Sequence, residues 1–518
     1  MLSPKKNNFQ VAALQFSARL IKLAKEHTNA FAVYGAGDIG KHLTEFLMLL
    51  DCKPSLIVDK NHKKIAYCNE VQVSSPETLI SSNITLVFIA SFAYEEEIRD
   101  YLERNLVGVV ILALSEENNL VVNSALEDGL YTKFHRQMSE RSRKYGPNFV
   151  NYHQKNISLE QRERVKNIAL YLPQFHKVKE NDEWWGNNFT EWQSVTRAVP
   201  QYYGQYQPHL PVDTGFYDLM NPKVLKEQAL LAKNYGIYGF CFYFYWFNGR
   251  RILETPLNNL LNDKSIDIPF CLFWANDSWS RTWHGFSELD KNEKKILIEQ
   301  SHSYADSIEL MNYLCLEVFS DSRYIKVNNK PLFTVYHTDA FDSLSETAQV
   351  WQQIAKKFGF DGLLLIHVQR DHQVNMNPHD IGFDSAMQFS PLGCYKEPVS
   401  VEMLNPDFQG NVFSYKDLIE KELDRTFTFP IIRGAFMSWD NEARRPTKGV
   451  SYQGSSPELF KKYLSQMNKF ASENRVDGDA IVFINAWNEW AEGAHLEADR
   501  EYGYAWLDIV SKVVLSNK

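Results

Sequence analysis

The chain has 518 residues, too many for one ordinary core, so two domains are the starting expectation. Apolar residues make up 44% and charged residues 23%, the balance of a globular protein. A net charge of −9 argues against a dominant nucleic-acid footprint, which needs a basic face, and the most apolar stretch, GIYGFCFYFYWF at 236–247, is too short to cross a bilayer.

The N-terminus, MLSPKKNNFQ, carries positive charge without an apolar segment behind it, so no secretory leader is expected and a cytoplasmic location follows. The six cysteines are scattered with no C-x-x-C spacing; they read as small buried hydrophobes, not as a zinc site or disulfide framework. At 31–40 an apolar run, FAVY, leads into Gly35-x-Gly37-x-x-Gly40 and then a helical pattern. This is the strand–turn–helix setting of a dinucleotide fingerprint, with glycines that let a phosphate approach a helix N-terminus. A second strand, SLIVD, ends at Asp59, where an acid could bond a ribose hydroxyl. Further strands are expected at 85–90 and 107–112, giving a small Rossmann-like domain over residues 1–118. It could hold a nucleotide-sugar or NAD, or keep the glycine turn only for packing. Residues 119–165 are polar and charge-mixed and read as a linker, helical in parts.

From 166 onward short apolar runs alternate with longer amphipathic segments. Eight runs recur, at 168–172, 238–246, 269–274, 331–336, 362–367, 384–389, 429–436 and 479–485. They are near-continuous rather than alternating, as parallel strands covered on both faces are. Eight strand–helix units over 166–518 predict a (β/α)8 barrel, with a doubly wound open sheet as the competing architecture. The fold class is therefore α/β, a TIM-like barrel preceded by a Rossmann-like domain.

In such a barrel the site lies where the strands end. The eight ends run into His176, then Tyr245 and Trp246, then Trp274, Asn276 and Asp277, then Tyr336 and His337, then His367, then Gln388, then Trp439, and finally Trp487 and Asn488. A merely solvated rim would favour Lys, Glu and Ser over these residue types. Beyond the eighth run, INAWNEWAEGAHLE places Glu489 and Glu492 three residues apart. Two carboxylates in one apolar-walled pocket have their pKa values pushed apart, so one serves as an acid and the other as a base or nucleophile. The blander reading makes Glu492 a surface residue of the loop. Glu497 reads as a supporting residue or a binder of sugar hydroxyls.

The stretches ALYLPQFHKVKENDEWWGNNFTEWQSVTRAVPQYYGQYQPHLPVDTGFYDLMNP, FCLFWANDSWSRTW, YIKVNNKPLFTVYH and WNEWAEG together resemble the WbsX-type glycosyltransferases of lipopolysaccharide and O-antigen clusters. That family is related to glycoside hydrolase family 99, the endo-α-mannosidases, and the resemblance covers roughly 166–510. It implies that Glu489 deprotonates a sugar 2-hydroxyl and Glu492 is the acid/base at the glycosidic oxygen, with retention through an anhydro-sugar. No metal is implied. Trp184, Trp185, Glu191 and Trp192 would line sugar subsites, with His176, Asn276 and Asp277 as further binding candidates. Ala491 stands where the hydrolases usually carry His. The implied partner is an oligosaccharide or polysaccharide, free or lipid-linked. Hydrolysis, transglycosylation, transfer from a nucleotide-sugar and non-catalytic sugar binding remain open at this stage.

Overall fold

The computed structural model describes residues 20–91, 94–113, 130–280 and 296–517. The N-terminal leader reading, the first part of the linker at 119–129 and the end of the FCLFWANDSWSRTW motif at 281–283 lie outside them. The chain divides into two compact units, Met1–Arg136 and Gln137–Lys518.

In the first unit, β1 (Phe31–Tyr34), β2 (Leu56–Val58), β3 (Tyr67–Cys68), β4 (Val71–Ser74), β5 (Leu86–Ile89) and β6 (Val110–Ala113) form one sheet in the order β3-β4-β2-β1-β5-β6. All neighbours are parallel except the β3–β4 hairpin. Side chains alternate between the faces, so Phe31 and Val33 join one core while Ala32 and Tyr34 join another. Helices α1 (Asp38–Leu49) and α2 (Glu95–Asn105) follow β1 and β5. A Cβ on Gly40, in the first turn of α1, would lie 1.8 Å from the Gly35 carbonyl oxygen, so only glycine lets helix and turn approach this closely. The Asp59 carboxylate accepts from the N–H groups of Ala36 and Asn61, each at 2.7 Å, and so braces the glycine turn.

The second unit contains α3 (Leu130–Arg143, from Gln137 on) and α4 (Leu159–Arg164), the latter started by a capping box between Ser158 and Gln161. The barrel strands are β7 (Lys166–Tyr171), β8 (Gly239–Phe247), β9 (Phe270–Trp274), β10 (Lys330–Val335), β11 (Leu364–Gln369), β12 (Ser385–Gln388), β13 (Ile431–Ile432 and Gly434–Phe436) and β14 (Ile481–Asn485). Each pairs in parallel with the next, and β14 pairs back onto β7 through Phe483 and Ile168. The cylinder is nearly closed. Its one interruption is Arg433, which splits β13 and turns its buried guanidinium to Gln388 Oε1 at 3.2 Å and to the Glu422 carbonyl at 2.5 Å. The helices that follow the strands are α7 (Pro222–Asn234) after β7, α8 (Thr255–Asn262) after β8, α9 (Tyr304–Tyr313) after β9, α10 (Leu344–Lys357) after β10, α11 (Tyr415–Leu423) after β12, α12 (Pro457–Glu473) after β13 and α13 (Ala505–Ser516) after β14. Between β11 and β12 the chain makes only two short 3-10 turns, a departure from strict strand–helix alternation. Two further short helices, α5 (Lys179–Trp185) and α6 (Glu191–Arg197), lie in the long loop after β7. No helix among the described residues is long and apolar enough to cross a membrane.

Candidate active site

Beyond β14 the chain folds into a small hairpin. Asn488–Glu489 pairs antiparallel with Ala494–His495, and the tip is a 3-10 turn at Trp490–Glu492. Residues three apart in such a turn eclipse one another, which brings Glu489 and Glu492 to one side. The turn closes at Gly493, whose φ is +61 and whose added Cβ would come within 3.0 Å of the Asp440 backbone nitrogen. Both facts call for glycine at the end of the WNEWAEG motif. The Asp440 N–H donates to the Glu492 carbonyl at 2.7 Å, and the Ser438 hydroxyl donates to that of Gly493. The loop after β13 thus holds the turn after β14.

The two glutamates meet on one cation. Arg444, from the same loop after β13, donates through Nη2 to Glu489 Oε2 at 2.8 Å and through Nη1 to Glu492 Oε1 at 2.6 Å. Its Nε donates to Glu191 Oε1 at 2.8 Å, from the first residue of α6. Arg197 at the other end of α6 donates twice to the Ala443 carbonyl, so α6 grips the loop that presents Arg444. Side-chain exposure is 0% for Glu191, 4% for Glu489 and 7% for Arg444, and rises to 18% only at Glu492. Burial pushes Glu489 up to about 8; Arg444 pulls it back, while Glu492 and Glu191 push it further. Burial also raises Glu492, again opposed by Arg444. Burial is the first cause that raises both acids, and for carboxylates crowded in a dry site the cheapest remedy is to keep a proton.

The family model described as "Glycosyltransferase WbsX" matches residues 167–510, the segment that carries this cluster. The chain belongs to the WbsX glycosyltransferase family. Two relatives named "Uncharacterized protein WxcX", from Xanthomonas campestris pv. campestris strains B100 and ATCC 33913, are 41% identical over 344 residues, which is 66% of this chain and 48% of theirs. The chain thus spans about half the length of the curated relatives it matches. Among solved structures, a "glycoside hydrolase-like protein" aligns over 72% of this chain and 98% of its own, at 11% identity and a TM-score of 0.42. The GH99 endo-α-mannosidase from Bacteroides thetaiotaomicron aligns over 68% and 97%, also at 11% and 0.42.

The other residues around the site fall into three groups, two of them expected from sequence. Tyr336 and His337 stand half-buried beyond β10, and Asp277 half-buried beyond β9. His337 pairs with Asp277 through Nδ1 and with Asp339 through Nε2 at 3.1 Å. Asn276 is buried beneath them and clasps the His337 backbone, accepting from its N–H at 2.7 Å and donating to its carbonyl at 3.0 Å. Trp184 and Trp185 are half-buried, with Trp184 edge-on to Trp279 at 5.7 Å. Tyr245 is buried, its hydroxyl accepting from Gln174 Nε2 at 3.4 Å.

A second group is internal and offers no face to a sugar. Trp246 donates to Asp306 Oδ1 at 2.9 Å and stacks on Tyr313, both on α9. Trp274 is fully buried against Phe333 and Trp351. Trp487 is fully buried beside Phe240. Asn488 ties β7 to the hairpin, accepting from the Leu172 N–H at 2.7 Å and donating to its carbonyl at 3.0 Å. Trp192 donates to the Tyr217 carbonyl and packs between Phe175 and Trp490. His176 is buried, with Nδ1 on the Pro173 carbonyl, and Trp439 is buried as well. These side chains hold the site's shape. Glu497 belongs with them: fully buried, it accepts from Gln228, Tyr217 and Trp490 at 2.7 to 2.8 Å.

The third group was not anticipated. Arg444 is one member. Tyr243 of β8 is another: it is half-buried, and its phenol is pushed up by burial and then by the charges of Glu489 and Glu492. Tyr243, Phe273, Tyr336 and Phe389 form a chain of rings with centroids 5.0 to 6.0 Å apart, a continuous aromatic wall at the barrel mouth. Glu492 also raises the Tyr336 phenol, after burial and the nearer Asp277, which puts the wall and the acids in one electrostatic neighbourhood. A separate cleft of about 380 Å³ lies around Cys394, Tyr395, Glu422 and Arg425, and none of the acid trio lines it.

Proposed function

We propose that this WbsX-family chain breaks or transfers a glycosidic bond of a surface polysaccharide, with Glu489 and Glu492 as the working acids. The observation that carries the reading is the single buried guanidinium of Arg444 serving three carboxylates at the end of the barrel strands. That arrangement keeps a protonated and an ionised carboxyl together at neutral pH, which glycosidic chemistry requires. Glu489 and Glu492 titrate together, so the entering sugar decides which of them holds the proton. A sugar 2-hydroxyl donated to Glu489 favours its ionised form and leaves the proton on Glu492.

The reaction then runs in two balanced halves. Glu489 takes the 2-hydroxyl proton as that oxygen attacks the anomeric carbon. The glycosidic bond breaks, Glu492 protonates the departing oxygen, and a 1,2-anhydro-sugar forms. Water or an acceptor hydroxyl next gives its proton to Glu492 and opens the strained ring, while Glu489 returns its proton to O2. The configuration is retained. Glu492, the more open acid, faces the leaving group and the incoming acceptor. Tyr243 and Tyr336 give the sugar an apolar face, and Arg444 positions both acids.

Mass spectrometry on mannose-type and other O-antigen oligosaccharides, free and lipid-linked, with and without nucleotide-sugars, tests the reading. Glu489→Gln is expected to abolish turnover for every leaving group, whereas Glu492→Gln regains it with leaving groups that need no proton. Unchanged turnover in both variants removes the proposal.

A second reading concerns the first unit alone, which we infer to be a Rossmann-like domain that takes a nucleotide-sugar. A Cβ on Gly37, before α1, would meet nothing within 4 Å, so the helix N-terminus is open to a phosphate. Asp59 would then support the turn rather than a ribose. Calorimetry decides: heat with a nucleotide-sugar and none with NAD(H) supports this reading, and silence with both removes it.

A further inference from the structure

We propose that His209, His495 and Asp499 form a buried zinc site beneath the turn that carries the acid pair. Three chain segments converge there: the long loop after β7 supplies His209, the hairpin after β14 supplies His495, and the segment leaving that hairpin supplies Asp499. All three side chains are buried, and their candidate ligand atoms lie within 4.8 Å of one another. His209 Nδ1 is 2.9 Å from His495 Nε2 and 3.9 Å from Asp499 Oδ2, and His495 Nε2 is 3.5 Å from Asp499 Oδ2. Zinc held tetrahedrally by bonds of about 2.1 Å needs ligand-to-ligand edges averaging about 3.4 Å, and this triangle has that size.

The hydrogen-bonding inventory points the same way. The His495 Nδ1–H donates to the Glu497 carbonyl at 3.0 Å, the backing that fixes a metal-binding imidazole with its Nε2 lone pair free. Asp499 Oδ1 accepts from the N–H groups of Glu501 and Tyr502 at 3.0 and 2.6 Å, which leaves Oδ2 to face the two rings. That oxygen has no hydrogen-bond partner, on a side chain only 1% exposed. An imidazole–imidazole hydrogen bond accounts for two of the three inward atoms and leaves the Asp499 carboxyl only the nearby Tyr206 hydroxyl, outside normal hydrogen-bond geometry, as a further donor. A divalent cation satisfies all three. The nitrogen and oxygen donors suit zinc, and a water or the Tyr206 hydroxyl, itself buried without a hydrogen-bond partner, would complete the coordination.

The site would be a fastener for the acid turn rather than part of the reaction. The His495 ring stacks on Trp490 at 3.8 Å, between the two acids in sequence. His209 Nε2 lies 3.1 Å from where a Gly493 side chain would begin. Metal there would lock the floor of the turn to the loop after β7.

The test is elemental analysis of the full chain, purified without chelator, incubated with zinc and desalted, beside Asp499→Asn and His209→Gln. Asparagine keeps an oxygen for the Glu501 and Tyr502 N–H groups, so that variant is expected to fold, as circular dichroism would report. We expect one zinc per chain in the parent and occupancy at least about tenfold lower in either variant. A chelator should lower the parent's Tm and added zinc restore it, while Asp499→Asn responds to neither. Cobalt in place of zinc should give the visible absorption of a tetrahedral site, absent in the variants. A parent that retains no zinc and shows no chelator response overturns the proposal, as does undiminished zinc in Asp499→Asn. None of these readouts depends on glycosidic activity.

Discussion

Replacing Arg444 by methionine removes the cation that bonds all three acids and keeps its length and apolar stem. Three charge-assisted hydrogen bonds of 2.6 to 2.8 Å go with it. Deleting one side of a buried ion pair costs about 3–5 kcal/mol, because the remaining charge is stranded. Here the stranded groups have an escape, since each carboxyl can take a proton at about 1.4 kcal/mol per pH unit. The sign follows from the raised carboxyls. A glutamate whose folded pKa lies above its unfolded value of about 4.3 contributes its full stability below that value. The contribution drains away as pH rises towards the folded pKa, which for Glu489 is already about 8 in the parent. Without Arg444 both Glu489 and Glu492 move higher, so the drain is steeper. Urea midpoints followed by circular dichroism should show Arg444→Met only slightly weakened near about pH 5 and short by about 3–5 kcal/mol near about pH 8. Arg444→Lys should fall between, since an ammonium supplies the charge but not a planar fork for three acceptors. A deficit that does not change with pH, or none near pH 8, would refute the view of Arg444 as counter-charge to a proton-holding trio.

Activity should carry the same signature: kcat/KM is expected to fall as pH rises through about 8, where the trio gives up its proton. Glu191→Gln removes one like charge and frees Arg444 for the other two, so this alkaline limb should move to lower pH; an unmoved limb would sever Glu191 from the site. Asn488→Ala breaks both bonds to Leu172 and leaves a buried N–H and carbonyl unmet, a loss of about 1–3 kcal/mol in chemical denaturation, and a null result would mean that the hairpin needs no such tie. Gly40→Ala forces a Cβ to within 1.8 Å of the Gly35 oxygen, so limited proteolysis should cut the first unit much faster than in the parent while the barrel unit stays intact.

The barrel was legible because parallel strands under helices are apolar on both faces and stand out as unbroken runs. The same property hid which face each side chain takes. In β8 and β9 the strand ends offer Tyr245, Trp246 and Trp274, of which the two tryptophans are the rings most suggestive of sugar stacking. Side chains alternate along a strand, and these two point outward, Trp246 to α9 and Trp274 to Trp351 of α10. Their neighbours of opposite parity, Tyr243 and Phe273, point inward to the aromatic wall with Tyr336. A shift of one residue moves a whole strand's chemistry from the mouth to the helix layer, and a run such as GFCFYFYWF carries no polar residue to reveal its register. The irregular β11–β12 link was equally silent, since 3-10 turns have no long amphipathic period to detect.

That Glu489 and Glu492 share one turn was legible for a different reason. NEWAEG is a turn whose glycine has a geometric duty, and carboxylates on a turn at a strand end have few structural excuses. Arg444 had many. It stands in NEARRPTK beside Arg445, and in sequence the two are the same: charged residues in a polar loop that would normally be solvated. The structure separates them completely, with Arg445 exposed and Arg444 buried on three glutamates drawn from α6 and the β14 hairpin. Those partners lie 253, 45 and 48 residues away along the chain, so no local pattern could have joined them. Proton-holding capacity belongs to the assembled site rather than to any motif: burial comes first among the causes that raise Glu489, then the charge of Glu492, then that of Glu191, which sequence places far from both.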